Sequence, residues 1–159
     1  MKEIYDSPRR MRLLKGISGA GAYLSAAFFG VELLLLLLGE NYTDLIISAA
    51  TALLGFVLVT LVRARLDKPR PYEVYTFYEI PPKDKKGHSF PSRHCYSAFV
   101  ISALGLVTGL PVFIGTLVIA VAVAVCRVLT GMHFIRDVVV GALSGLILGG
   151  VGVLLCYLI

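Results

Sequence analysis

The chain has 159 residues, 57% of them apolar types and 16% charged, with a net charge of +5 and a mean hydropathy of +0.83. Four stretches (17–38, 45–62, 95–126 and 138–159) hold 94 of the 159 positions, and Glu32 is their only Asp, Glu, Lys, Arg or His. So much apolar surface excludes a soluble enzyme, a disordered tail and a disulfide-stapled secreted domain, and runs of about 20 apolar residues match the thickness of a bilayer.

Residues 1–16 form a basic N-terminal segment carrying Lys2, Arg9, Arg10, Arg12 and Lys15. It reads either as a surface helix with Ile4, Met11, Leu13 and Leu14 in lipid, or as a basic topogenic tail. The apolar run behind it is too long for a signal-peptide core and predicts a retained anchor, span one, over about 17–38. Glu32 is costly inside that span, where an acid is often functional, but it is close enough to Gly39 to snorkel to the far interface in a structural or interfacial role. After the acidic link 39–44, span two covers about 45–62. Residues 63–93 are then the one long polar segment, rich in Lys, Arg and Pro, and a loop of that length is usually functional or disordered.

The 32-residue run 95–126 would make a single helix of about 48 Å, too long for a bilayer without strong tilt. Gly109-Leu110-Pro111 near its middle is a turn signal. A tight hairpin is therefore predicted, with span three over about 92–109 and span four over about 111–127. Span five is about 136–158. The fold class is all-α: one integral membrane domain, 1–159, built as a polytopic bundle of about five spans. Glycines at four-residue spacing (105 and 109; 141, 145 and 149) predict close helix approach, within or between chains, so oligomeric state stays open. Asp137 lies four residues before Gly141 and is expected to face protein rather than lipid. Cys95, Cys126 and Cys156 lie in or at apolar spans and read as packing residues.

Polar residues gather at the span ends in three segments, and the hairpin puts all three on one side of the membrane. The first leaves span two with Arg63 and Arg70. The second enters span three as Pro91-Ser92-Arg93-His94. The third joins spans four and five with Arg127, His133 and Asp137. His133 and Asp137, four apart, would share one helical face, and a carboxylate on one imidazole nitrogen leaves the other free to attack or take a proton. Ser92 with Pro91 marks a helix N-terminus, whose free N–H groups suit phosphate. Arginines supply bidentate forks for phosphate. Two histidines, one carboxylate and several arginines at one membrane face describe phosphoryl transfer. The site lacks a carboxylate cluster, so a metal is not implied, and no cofactor is expected.

These segments resemble the motifs of the type 2 phosphatidic acid phosphatases, K-x6-R-P, P-S-G-H and S-R-x5-H-x3-D. Here they read Arg63-x6-Arg70-Pro71, Pro91-Ser92-Arg93-His94 and Cys126-Arg127-x5-His133-x3-Asp137, over a region of roughly 45–159. The resemblance implies a metal-independent lipid phosphate phosphatase working through a phosphohistidine. His133 would be the nucleophile, Asp137 its orienting partner and His94 the acid on the leaving oxygen. Arg63, Arg70, Ser92, Arg93 (through its backbone N–H) and Arg127 would bind phosphate. A phosphotransferase on the same fold and a non-catalytic lipid-binding protein are the alternatives. Three positions depart from the motifs. Arg63 stands for Lys; Arg93 stands for Gly, harmless only if the turn needs no positive φ, with its side chain pointing to head groups or adding charge for a diphosphate; Cys126 stands for Ser. The family commonly has six spans, its first having no counterpart among the five here.

The expected partners are a lipid phosphate substrate and membrane lipids, with no nucleic acid. All 15 Lys and Arg fall on the side of the motifs and none on the other. The expected location is the plasma membrane of a prokaryote, and the positive-inside bias predicts an active site on its cytoplasmic face, although many relatives face the opposite side.

Overall fold

The computed structural model describes residues 7–75 and 86–159, and all regular structure among them is helical. The elements are α1 (Pro8–Leu38), α2 (Tyr42–Leu66), α3 (Pro71–Val74), α4 (Arg93–Thr108), α5 (Leu110–Leu129) and α6 (Ile135–Leu158). Four of the five long helices (α1, α2, α5 and α6) are long and apolar enough to cross a membrane. Their outward residues, among them Leu24, Val31, Leu54, Leu58, Val118 and Ile147, are exposed apolar side chains, as a lipid-facing surface requires.

The fifth long helix, α4, is the centre of the bundle. It packs most extensively against α6 and α5 and also touches α1 and α2. From Cys95 to Gly105 only Ser97 is not buried. Its 16 residues rise about 24 Å, short of a hydrocarbon core of about 30 Å. Enclosure by its neighbours makes that length workable, because its ends meet protein rather than lipid.

Lipid tails are as apolar as leucine, so helix association here rests on close packing. A Cβ placed at Gly141, Gly145 or Gly149 would lie 2.6 Å from Ser92 O, Tyr96 O or Ala103 Cβ respectively. The glycine ridge of α6 therefore lies directly on the α4 backbone. The hairpin between α4 and α5 turns at Gly109, whose φ of 144° disfavours any other residue. Pro111 occupies the first turn of α5.

Two helix starts differ from expectation. Residues 8–15 are neither a separate surface helix nor a tail; they are the first turns of α1, with Pro8 in a position where its missing N–H costs nothing. Residues 1–6 lie outside the described residues. At the far end of α1, Glu32 does not snorkel outward: it is buried beside Thr108 of α4, and its Oε1 has no hydrogen-bond partner among the described residues. Of the long polar segment, 71–74 forms the short α3 and 76–85 lies outside the described residues.

Candidate active site

The helices alternate in direction, so the three polar segments meet at one end of the bundle. Arg63 and Arg65 lie in the last turn of α2, which extends past the apolar run, and Asp67 ends the helix in the left-handed conformation at φ 36°. Arg63 is buried and its Nη1 donates to Pro91 O at 3.1 Å, tying the end of α2 to the loop that precedes α4. Arg70, also buried, donates from Nε to Gly87 O at 3.0 Å. Glu73 holds the same loop from the other side, accepting Arg70 N at 3.1 Å and Gly87 N at 2.8 Å.

Ser92 caps α4, its Oγ accepting from Cys95 N at 3.5 Å. Its own N–H donates to Asp137 O at 2.9 Å, which locks the start of α4 to the start of α6. Arg93, where the motif has glycine, begins α4 with ordinary negative φ, so the backbone here does not need a glycine. Its guanidinium lies over the Phe56 ring, 5.6 Å from the centroid. It also lines a cavity of ≈ 410 Å³ with Arg63, Arg70, Lys86 and His88. His94 follows in the first turn, its side chain exposed.

The third segment departs from the predicted geometry. His133 is not on a helix: α6 starts at Ile135, and residues 130–134 form a turn that passes through Gly131 at φ 66°. Backbone bonds hold that turn, among them those from Met132 N and His133 N to Arg127 O, each at 3.2 Å. His133 and Asp137 meet through helix-start geometry rather than a shared helical face. Asp137 is the third residue of α6, and its Oδ2 accepts Phe134 N at 3.1 Å. The carboxylate is fully buried, with Oδ2 3.7 Å from His133 Nδ1. That separation is longer than a direct hydrogen bond. Ser89 fills the gap: its Oγ donates to Asp137 Oδ2 and lies 3.4 Å from His133 Nδ1.

His133 is buried, and burial holds its imidazole below the ordinary pKa of 6.5 while the nearby Asp137 carboxylate pulls the other way. The ring is therefore neutral at physiological pH, with Nδ1 on the Ser89–Asp137 side and Nε2 on the opposite edge. The charges of Arg63 and Arg70 bear on His133, and those of Arg127, Arg93 and Arg63 bear on His94. Arg127 is buried, with its Nε lacking a hydrogen-bond partner among the described residues. Cys126 is buried beside it; its carbonyl accepts from Thr130 Oγ1 at 2.7 Å, so that hydroxyl does not replace the missing serine at the site.

All eight residues singled out by sequence are thus gathered at this end. Sequence reasoning missed Ser89, Glu73, Lys86 and His88. A lone serine and a lone glutamate in a polar loop carry no signal, and only the meeting of that loop with α6 gives Ser89 a partner.

Residues 41–158 match the family profile of the PAP2 superfamily. Decaprenylphosphoryl-5-phosphoribose phosphatase of Mycobacterium tuberculosis is 24% identical over 149 residues, covering 93% of this chain and 81% of that protein. LpxE of Aquifex aeolicus superposes with a TM-score of 0.72 at 26% identity, covering 92% of this chain and 87% of the other. The transmembrane PAP2 type phosphatidylglycerolphosphate phosphatase of Bacillus subtilis gives 0.74 at 23% identity, with 99% and 85% covered.

Proposed function

The chain belongs to the PAP2 superfamily of phosphatases, and we propose from that premise that it is a metal-independent lipid phosphate phosphatase acting through a phosphohistidine at His133. The observation that carries the reading is the convergence of Arg63, Arg70 and Arg127 with His94, His133 and Asp137 where α2, α4, α5 and α6 meet.

His133 Nε2 attacks the phosphorus in line, and the bond from phosphorus to the lipid oxygen breaks. His94, exposed at the start of α4, gives the leaving oxygen its proton. Asp137 stabilises the positive charge that develops on the His133 ring, with Ser89 holding the carboxylate in place. Arg63, Arg70 and Arg127, the Ser92 hydroxyl and the Arg93 N–H meet the equatorial oxygens, where charge grows in the transition state. Water then attacks the phosphohistidine, losing its proton to His94, and phosphate leaves. The lipid needs no deep pocket: its tail stays in the bilayer while the head group slides to the end of the bundle.

The site is proposed to face the cytoplasm. The helix directions agree with the charge count, since the basic start of α1 and the three motif segments share one end. Single cysteines placed over 75–88 should resist an impermeant thiol reagent in intact cells; labelling there reverses the orientation.

The mechanism is tested by phosphate release from lipid phosphates in detergent, with and without a chelator, and by trapping labelled enzyme. Turnover should survive the chelator. An acid-labile phosphoenzyme should form in the wild type and be absent in His133→Ala. Chelator-sensitive turnover, or a phosphoenzyme that persists in His133→Ala, overturns the assignment.

A further inference from the structure

A cavity adjoins the histidines without being lined by them. At ≈ 410 Å³ it falls within the size range of small-ligand pockets. Neither His94 nor His133 lines it, whereas Arg63 and Arg70, whose charges bear on His133, do. It therefore adjoins the catalytic pair and shares two arginines with it.

Its chemistry is one-sided. Arg63, Arg70, Lys86, His88 and Arg93 supply its walls, and among the described residues no carboxylate forms an ion pair with Arg63, Arg70, Lys86 or Arg93. Asp67 reaches only His88, at 3.3 Å, and Glu73 takes backbone N–H groups instead of a cationic side chain. Arg63 directs Nη1 and Arg70 directs Nε to a backbone carbonyl, and the Arg70 guanidinium also meets Tyr72, bonding its hydroxyl and lying 5.9 Å from its ring centroid. Like charges gathered this closely repel one another, and a multiply charged anion between them removes that cost. Arg93 adds its charge at a position where the motif has only a backbone.

We propose that Lys86, His88 and Arg93, with the shared Arg63 and Arg70, form a subsite for a second phosphoryl group next to the one that is hydrolysed. This rests on the phosphatase reading and narrows its substrate class. Two kinds of lipid carry such a neighbour. In a diphosphate, the bond between the bridging oxygen and the terminal phosphorus breaks, and His94 protonates a phosphate oxygen of the departing lipid monophosphate. In a phosphodiester lipid that ends in a phosphate monoester, the leaving group is an alcohol and the diester phosphoryl occupies the subsite.

Binding separates the subsite from the reaction. Calorimetry on the detergent-solubilised full chain should find inorganic pyrophosphate bound at least about tenfold more tightly than inorganic phosphate, the weight of one charge-assisted hydrogen bond. Lys86→Gln and Arg93→Gln should each narrow that gap. Equal affinities in the wild type, or a gap untouched by both variants, overturn the subsite. Pyrophosphate preference without turnover of any lipid supports the subsite and counts against the phosphatase reading instead. In turnover assays, Lys86→Gln should raise KM for farnesyl diphosphate or phosphatidylglycerol phosphate more than for phosphatidic acid. The arm that responds identifies the source of the second phosphoryl, and equal rises in all three overturn the proposal.

Discussion

Ser89→Ala is the sharpest test of how this site is held together. The Ser89 hydroxyl is fully buried, donates to Asp137 Oδ2 and lies 3.4 Å from His133 Nδ1. Without it, the buried Asp137 side chain keeps one hydrogen bond among those described, from Phe134 N at 3.1 Å, while its Oδ1 has only the ion pair with the exposed Arg136, whose Nε is 3.5 Å away. A hydrogen bond to a charged group is worth about 1.5–3 kcal/mol, so loss of this one in the transition state should lower kcat by roughly 10- to 100-fold. KM should change little, because Ser89 is not placed against substrate. The assay is initial-rate phosphate release in detergent, run on Ser89→Ala, Asp137→Asn and the double variant. If Ser89 acts through the carboxylate, it adds little to the loss in Asp137→Asn. A fall of less than about threefold in the single variant, or fully multiplicative losses in the double variant, refutes a positioning role.

Three further outcomes are expected. The His133 imidazole should titrate below 6.5, identified by NMR as the resonance missing from His133→Gln, because burial disfavours its charged form. Between that lowered value and 6.5 the unfolded chain binds more protons, so His133 makes the fold less stable as pH falls through this window; a titration above 6.5 contradicts the burial argument. Gly145→Ala should cost about 1–3 kcal/mol in detergent unfolding, since its Cβ would meet Tyr96 O at 2.6 Å and Val100 N at 2.9 Å. Gly150→Ala, with nothing within 4 Å, should be neutral or gain up to about 1 kcal/mol from helix propensity, and equal losses at both sites would undo the packing account. Glu32→Gln should leave phosphatase activity unchanged and not lower the unfolding temperature. It removes a buried acid whose Oε1 is unpartnered among the described residues, at the end of the bundle opposite the histidines; a clear loss of activity would show that the two ends are coupled.

Much of the architecture was legible because a bilayer imposes simple rules. Apolar run length marked where helices cross, and Gly109 with Pro111 marked the hairpin. The four-residue glycine spacing and Asp137 predicted which face of α6 meets protein. Helix starts were harder to read, since α1 begins at Pro8 within a basic stretch that composition alone assigns to the surface. Glu32 was misread for a related reason: hydropathy records depth along a span, but not which neighbour the side chain faces.

The motif residues could be found from sequence because phosphate chemistry needs rare types, histidine and arginine, at span ends. Their spacing along the chain also predicted that they share a membrane face. What spacing could not supply was the way they are held. His133 and Asp137 meet because a turn through Gly131 precedes α6, and Ser89 bridges them from a loop 44 residues earlier than His133. Arg93 likewise read as a departure from a motif until the fold set it on a cavity wall with Lys86 and His88. Identity and approximate depth are local properties, carried by single residues and run lengths. Partnership between a loop serine and a buried carboxylate, or among cations from three segments, exists only once the helices have packed.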